Sequence, residues 1–142
     1  MKSCCMDYKC IQCCLESEML LSNEDIERIK GLEFAPEFFI TKRDGRLQLM
    51  NYNGRCVFHN GIGCSIYENR PEGCKLYPII YDKEKNCAVL DEDCPYRDKF
   101  EISKTSIRKI SALVLKLEYE RDQRKQSAAI SSSNKKWRNS RI

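Results

Sequence analysis

The sequence predicts a small α+β domain of irregular, cysteine-rich type, with a short N-terminal helix, short β-hairpins and a long C-terminal helix. Three observations carry this. Short strand-like runs between residues 38 and 58 are punctuated by Asp-Gly and Asn-Gly. A helical apolar period takes over after residue 98. The ten cysteines fall in two groups, Cys4 to Cys14 and Cys56 to Cys94. At 142 residues the chain fits one domain plus a tail.

Ser22-Asn23-Glu24-Asp25 starts the short helix, with Ser22 placed to accept from the backbone three residues on and acids near the positive helix end. Ile26, Ile29 and Leu32 face inward, and Gly31 stops the helix. Phe38 to Lys42 and Arg46 to Tyr52 form a hairpin around Lys42-Arg43-Asp44-Gly45, and Asn53-Gly54 turns the chain into Arg55-Cys56-Val57-Phe58. Gly61-Ile62-Gly63 and Arg70-Pro71-Glu72-Gly73 set turns directly before Cys64 and Cys74.

Tyr77 to Tyr81 and Cys87 to Leu90 pair across the polar Asp82 to Asn86, and Cys94-Pro95 ends the cysteine-rich part. From Asp98 on, Ile107, Ile110, Val114 and Leu117 mark one face of a long helix that packs onto this body, a dimer-forming helix being the alternative. The serine-rich basic run beyond Arg124 reads as a disordered tail. The expected organisation is a cysteine-cluster metal-binding domain over 1–97, a packed helix over 98–126 and a disordered basic tail over 127–142.

Charge and hydropathy exclude several classes. Residues 121–142 carry seven basic side chains against one acid, Asp122, which leaves the rest of a chain of net charge +4 near −2. The globular part is therefore not a basic nucleic-acid binder. No run reaches the roughly 18 apolar residues a membrane span needs, and Met1-Lys2-Ser3-Cys4-Cys5 is no apolar signal segment, so a cytoplasmic protein is expected. In a reducing cytoplasm, clustered cysteines are metal ligands or redox groups more often than disulfides. The 42% hydrophobic fraction counts the ten cysteines and seven tyrosines, so the aliphatic core is lean and a bound ion would compensate.

Cys10 and Cys13 hold the C-x2-C step that lets two thiolates of one turn converge on an ion, and Cys14 follows directly. Cys56, Cys64 and Cys74 form a second set, with Cys94 a further candidate. All-thiolate sites suit zinc and iron–sulfur clusters alike. Cys4 and Cys5 read equally as a frayed terminus, and Cys87 as a small core residue in a strand. His59, the single histidine, is a loop residue beside Asn60-Gly61 rather than a ligand, and one histidine without a carboxylate pair does not make the usual hydrolytic zinc site. No catalytic residue is legible.

The string Cys56-Val57-Phe58, then Gly63-Cys64-Ser65-Ile66-Tyr67-Glu68-Asn69-Arg70-Pro71-Glu72-Gly73-Cys74 and Tyr77-Pro78, resembles the YkgJ-type cysteine-cluster family, also called the CxxCxxCC zinc- or iron-chelating family. Its C-x-I-Y-x-x-R-P-x-x-C core is matched at every defined position, and the resemblance covers about residues 8 to 97. It departs at the N-terminus: the family name implies C-x2-C-x2-C-C, whereas Cys10-x2-Cys13-Cys14 is preceded at irregular spacing by Cys5, leaving the fourth N-terminal ligand open.

The resemblance implies a metal- or cluster-binding domain and kinship with flagellin lysine N-methylases, although no glycine-rich loop for a nucleoside cofactor is legible. Beside it, Pro71 biases Arg70 towards an extended backbone that returns Cys74 toward Cys64. Arg70 then donates to thiolates or carbonyls around the site, or pairs at the surface with Glu68 or Glu72. Tyr67 belongs with Arg70 at the cofactor site, where it and Tyr77-Pro78 supply packing.

Three functions follow. The first is a metal-binding protein holding zinc or an iron–sulfur cluster through Cys10, Cys13, Cys14, Cys56, Cys64, Cys74 and Cys94. The second is a component of a lysine N-methylase-like or redox enzyme, with a possible protein partner. The third is an interaction module with structural zinc, whose tail around Lys136-Trp137-Arg138 contacts nucleic acid, the weakest of the three.

Overall fold

The structure is a computed structural model that describes residues 17–139, and the side chains of residues 17–129. Cys4, Cys5, Cys10, Cys13 and Cys14 lie outside the described residues, as do the side chains of Lys136, Trp137 and Arg138.

The expected helix start is present. Helix α1 (Asn23–Lys30) is capped by Ser22, whose hydroxyl accepts from the Asp25 amide while the Asp25 carboxylate accepts from the Ser22 amide. Ile26 and Ile29 are buried, and Gly31 is the C-cap. Leu32 does not face inward as expected. The helix has ended, the Leu32 amide bonds back to Ile29 in a turn, and the side chain is 39% exposed.

Phe38 and Phe39, expected in a strand, instead end a one-turn helix α2 (Pro36–Phe39), because Pro36 at its first positions lacks the amide a strand would use and is preset for a helical start. Strands β1 (Ile40–Arg43) and β2 (Arg46–Leu49) then pair in register Arg43↔Arg46, with Asp44 and Gly45 both at positive φ, the tight turn the sequence implies. Asn53 and Gly54 repeat that geometry between β3 (Asn51–Tyr52) and β4 (Arg55–Cys56). On the free edge of β2, the Leu21 amide donates to Leu47 and the Leu49 amide to Met19, so the segment entering α1 is stitched to the hairpin.

Arg70-Pro71-Glu72-Gly73 is more than a turn: after a 3-10 turn at Tyr67–Asn69, helix α3 (Glu72–Leu76) starts behind Pro71 and carries Cys74. The expected last hairpin is present as β5 (Ile79–Asp82) and β6 (Cys87–Leu90). Helix α4 (Lys104–Asn139) begins later than expected, since Asp98 lies in a 3-10 turn and the Ser103 hydroxyl accepts from the Ser106 amide where the helix starts.

Helix α4 packs on α3 and on the β5–β6 hairpin through Ile110, Leu113 and Leu117, whereas Ile107, expected on that face, is 45% exposed in the first turn. Polar clamps extend the attachment. Lys116 reaches Glu24 and Glu72, Glu120 accepts from the Asn23 amide at 2.6 Å, and Arg124 donates to the Gly45 carbonyl and the Asn23 side chain. No helix among the described residues is long and apolar enough to cross a membrane.

Candidate metal centre

Cys56 and Cys64 are brought together by a short reversal of the chain. Cys56 ends β4, opposite Asn51. The His59 amide donates to the Cys56 carbonyl, the Asn60 amide to Gly63, and the Ser65 amide to Phe58. Asn60 Oδ1 accepts from the Ile62 and Gly63 amides, and Gly61 takes φ +95°, a left-handed backbone that favours glycine. The result is a bridge between His59 and Cys64.

Burial pushes the Cys56 thiol up, and the neighbouring Cys64 pushes it further against a backbone hydrogen bond from Phe58. Burial also raises Cys64, partly offset by the Ile66 backbone and the Arg70 charge. Thiols held protonated in this way become ligands when a cation displaces their protons.

Cys74, like Cys64, packs against the core cluster that contains Cys56, Phe39, Leu49, Phe58 and Ile66. Its neighbour Gly73 admits Met19 so closely that a Cβ there would lie 2.4 Å from the sulfur. Cys94 is buried in the loop after β6. That loop is tied to the end of α3, because Tyr77 Oη donates to Asp91 Oδ2 at 2.7 Å and the Cys94 amide donates to the Asp91 carbonyl. Cys87 corrects an expectation: it is exposed, since it opens β6 opposite Asp82 at the solvent end of the hairpin.

Arg70 has an extended backbone, as Pro71 requires. Its Nε donates to the Tyr67 carbonyl at 2.9 Å and its guanidinium lies 3.9 Å from the Tyr67 ring centroid. The cation thus stands near Cys64 on an aromatic shelf. Glu72, one of the surface partners considered for it, pairs with Lys116. His59 is buried, and its Nδ1 accepts from the Gly61 amide, so a neutral ring carries its proton on Nε2. Nε2 has no hydrogen-bond partner among the described residues. Burial, then Arg55, lowers the His59 pKa. A metal on Nε2 would need that tautomer reversed, which agrees with a loop role.

The segment that leads in from the N-terminal cysteines is anchored beside this region. Asn51 Oδ1 accepts from the Ser17 amide at 3.0 Å and Asn51 Nδ2 donates to the Ser17 carbonyl at 2.9 Å. This two-way clamp was not legible in the sequence, where Asn51 is one polar residue in a strand. Next to it a cleft of about 990 Å³ runs between the last hairpin and α4, with Ile79, Leu113 and Leu117 in its wall and Glu18, Asp91 and Asp93 among its charged lining.

Among the described residues no three His, Cys, Asp or Glu side chains are grouped to hold an ion. Cys56, Cys64 and Cys74 have the donor chemistry that suits a thiophilic metal, but by themselves they do not form such a group.

The described part is a cysteine-rich α+β body in which Cys56, Cys64 and Cys74 belong to or pack against one apolar core. Residues 4–95 match the family described as "CxxCxxCC: Putative zinc- or iron-chelating domain", and the chain belongs to that family. No curated protein and no solved structure matches it. Set on this sequence, the C-x2-C-x2-C-C pattern of the family name places Asp7 where the first cysteine would stand, three residues before Cys10. The spacing alone could have revealed it.

Proposed function

We propose that the chain is a metal-binding protein in which Cys10, Cys13 and Cys14 join Cys56, Cys64 and Cys74 around zinc or an iron–sulfur centre, with Cys94 as a further ligand and Asp7 as an oxygen donor in the first pattern position. The observation that carries this is the Ser17–Asn51 clamp, because Asn51 is the cross-strand partner of Cys56. Three peptide steps separate Cys14 from Ser17, a reach of at most about 11 Å, and seven separate Cys10 from it, about 25 Å, so the chain is long enough for the N-terminal sulfurs to meet the middle group. Arg70 beside Cys64 offsets the negative charge that several thiolates place on a divalent ion. Residues 1–97 form the metal-binding unit, and it works in a reducing compartment such as the cytoplasm, where thiols remain available as ligands.

The test is anaerobic purification followed by metal analysis, acid-labile sulfide determination and a visible spectrum. Colourless protein with stoichiometric zinc identifies a zinc site, and colour with iron and sulfide identifies a cluster. Protein that binds neither overturns the proposal. Asn51→Ala is expected to weaken metal binding while leaving the described core folded.

A second reading, a component of a lysine-modifying or redox enzyme with a protein partner, draws on the cleft beside Ser17 and α3. An apolar wall with carboxylates in its lining suits a cationic aliphatic side chain. Metal-loaded protein that neither modifies nor binds lysine-containing peptides, and shows no redox activity, removes this reading.

A further inference from the structure

Asp25 is 1% exposed, and its two oxygens serve two different parts of the molecule. Oδ2 accepts from the Ser22 amide at 3.1 Å and completes the capping box of α1. Oδ1 accepts from Arg28 Nη2 at 2.9 Å and from the backbone amide of Glu72 at 3.1 Å, a residue 47 positions downstream. Glu72 is the first residue of α3, and its N-cap, Pro71, offers no side-chain cap. Arg28 Nη2 also donates to the carbonyl of Arg70 at 2.8 Å. The Asp25–Arg28 pair therefore grips the chain on both sides of Pro71, the carbonyl before it and the amide after it.

We propose that Asp25 is a positioning residue for the metal centre, setting the direction in which α3 presents Cys74 to the Cys56–Cys64 reversal. The proposal rests on the reading of Cys74 as a ligand. A capping box needs only one carboxylate oxygen, and here the second is buried and spent on a distant helix start. Cys74 follows Glu72 by two residues in a helix of a single turn, so moving its first amide moves the sulfur. The same grip holds Arg70, whose guanidinium stands over Tyr67 and whose charge acts on Cys64. One half-buried ion pair thus fixes both the thiol and the cation beside its partner thiol.

The test uses the full chain under anaerobic conditions with Asp25→Ala, Asp25→Asn, Arg28→Lys and Ser22→Ala. Ser22→Ala removes a cap of α1 and leaves the Oδ1 contacts in place, so it controls for loss of stability alone. Zinc affinity is measured by chelator competition, and in zinc-free protein the iodoacetamide alkylation rate of each cysteine is read by mass spectrometry.

Asp25→Ala is expected to weaken zinc binding about 10- to 100-fold, as loss of an orienting partner does. It should also raise the Cys74 rate relative to Cys56 well beyond the Ser22→Ala change. Asp25→Asn keeps a carbonyl oxygen for Glu72 and should restore most of both. Should Asp25→Ala fail to fold, Asp25→Asn and Arg28→Lys carry the comparison, Arg28→Lys raising the relative Cys74 rate through the lost Arg70 contact. Equal effects of Asp25→Ala and Ser22→Ala on Cys74, or equal acceleration of Cys56, Cys64 and Cys74, would overturn the proposal. If wild-type protein binds no metal the ligand reading falls, and the alkylation ratios in the same protein still decide whether Asp25 positions Cys74.

Discussion

The two halves of the molecule are held together in different ways. Around Phe39 and Phe58 the body has a continuous core: Leu21, Ile29, Leu49 and Ile66 are buried with them, and Phe34 and Phe38 add edge and stacked ring contacts. Among the described residues, the apolar cluster under α4 buries Ile79, Ile110 and Leu113, and the helix depends as much on Lys116, Glu120 and Arg124 reaching back to α1, α3 and the β1–β2 turn. The middle cysteines sit on the first core. The proposed site would therefore stand on the part of the fold with the most apolar support, with the long helix as a brace against it.

If the two clusters of cysteines share an ion, its removal should be the largest perturbation and should strike the body first. A structural zinc contributes on the order of 10 kcal/mol of apparent binding energy, so chelation should abolish or strongly lower the cooperative thermal transition. Unchanged melting after verified metal loss would place the ion outside the stability of the body. Next in size, Phe58→Ala should cost about 3–5 kcal/mol in denaturant unfolding. Leu113→Ala, in the thinner core, should cost about 2–3 kcal/mol. Equal losses would erase the distinction between the cores.

Thiol reactivity sharpens the contrast within the body. In zinc-free protein, exposed Cys87 should alkylate before Cys56 and Cys64 near neutral pH, because burial raises the pKa of those two and lowers their thiolate fraction. The lag should shrink as pH rises through the ordinary thiol range, and a lag independent of pH would point to steric shielding alone. The linkage has a definite sign: groups with raised folded-state pKa values stabilise the metal-free fold below about pH 8.5 and cease to do so as pH climbs through those values. The smallest effect is expected at the brace. Lys116→Ala removes ion pairs to Glu24 and Glu72 that are partly solvated, a loss of at most about 1 kcal/mol that salt should diminish further.

Much of the local architecture was legible because its causes are local. Ser22 and Asp25 are three residues apart, and Asp44-Gly45 and Asn53-Gly54 adopt positive φ within their own turns. Phe38 and Phe39 misled because aromatic residues suit strands, while Pro36 decided the start of a helix. Cys87 misled because alternation along a strand does not say which end of a hairpin reaches solvent. The cysteine groups and the Arg70-Pro71 turn were visible as pattern, but the packing of Cys56, Cys64 and Cys74 on one core was not.

The sequence alone determined the turns, the cap of the first helix, the supply of thiols and the family they belong to, since each depends on residues a few positions apart or on composition. Tertiary structure alone decided that Asn51 grips Ser17, that Asp25 reaches Glu72 and that α4 braces the body through Lys116 and Glu120. Those contacts join groups dozens of residues apart, and a hydrogen bond forms only where folding has already brought donor and acceptor to within about 3 Å.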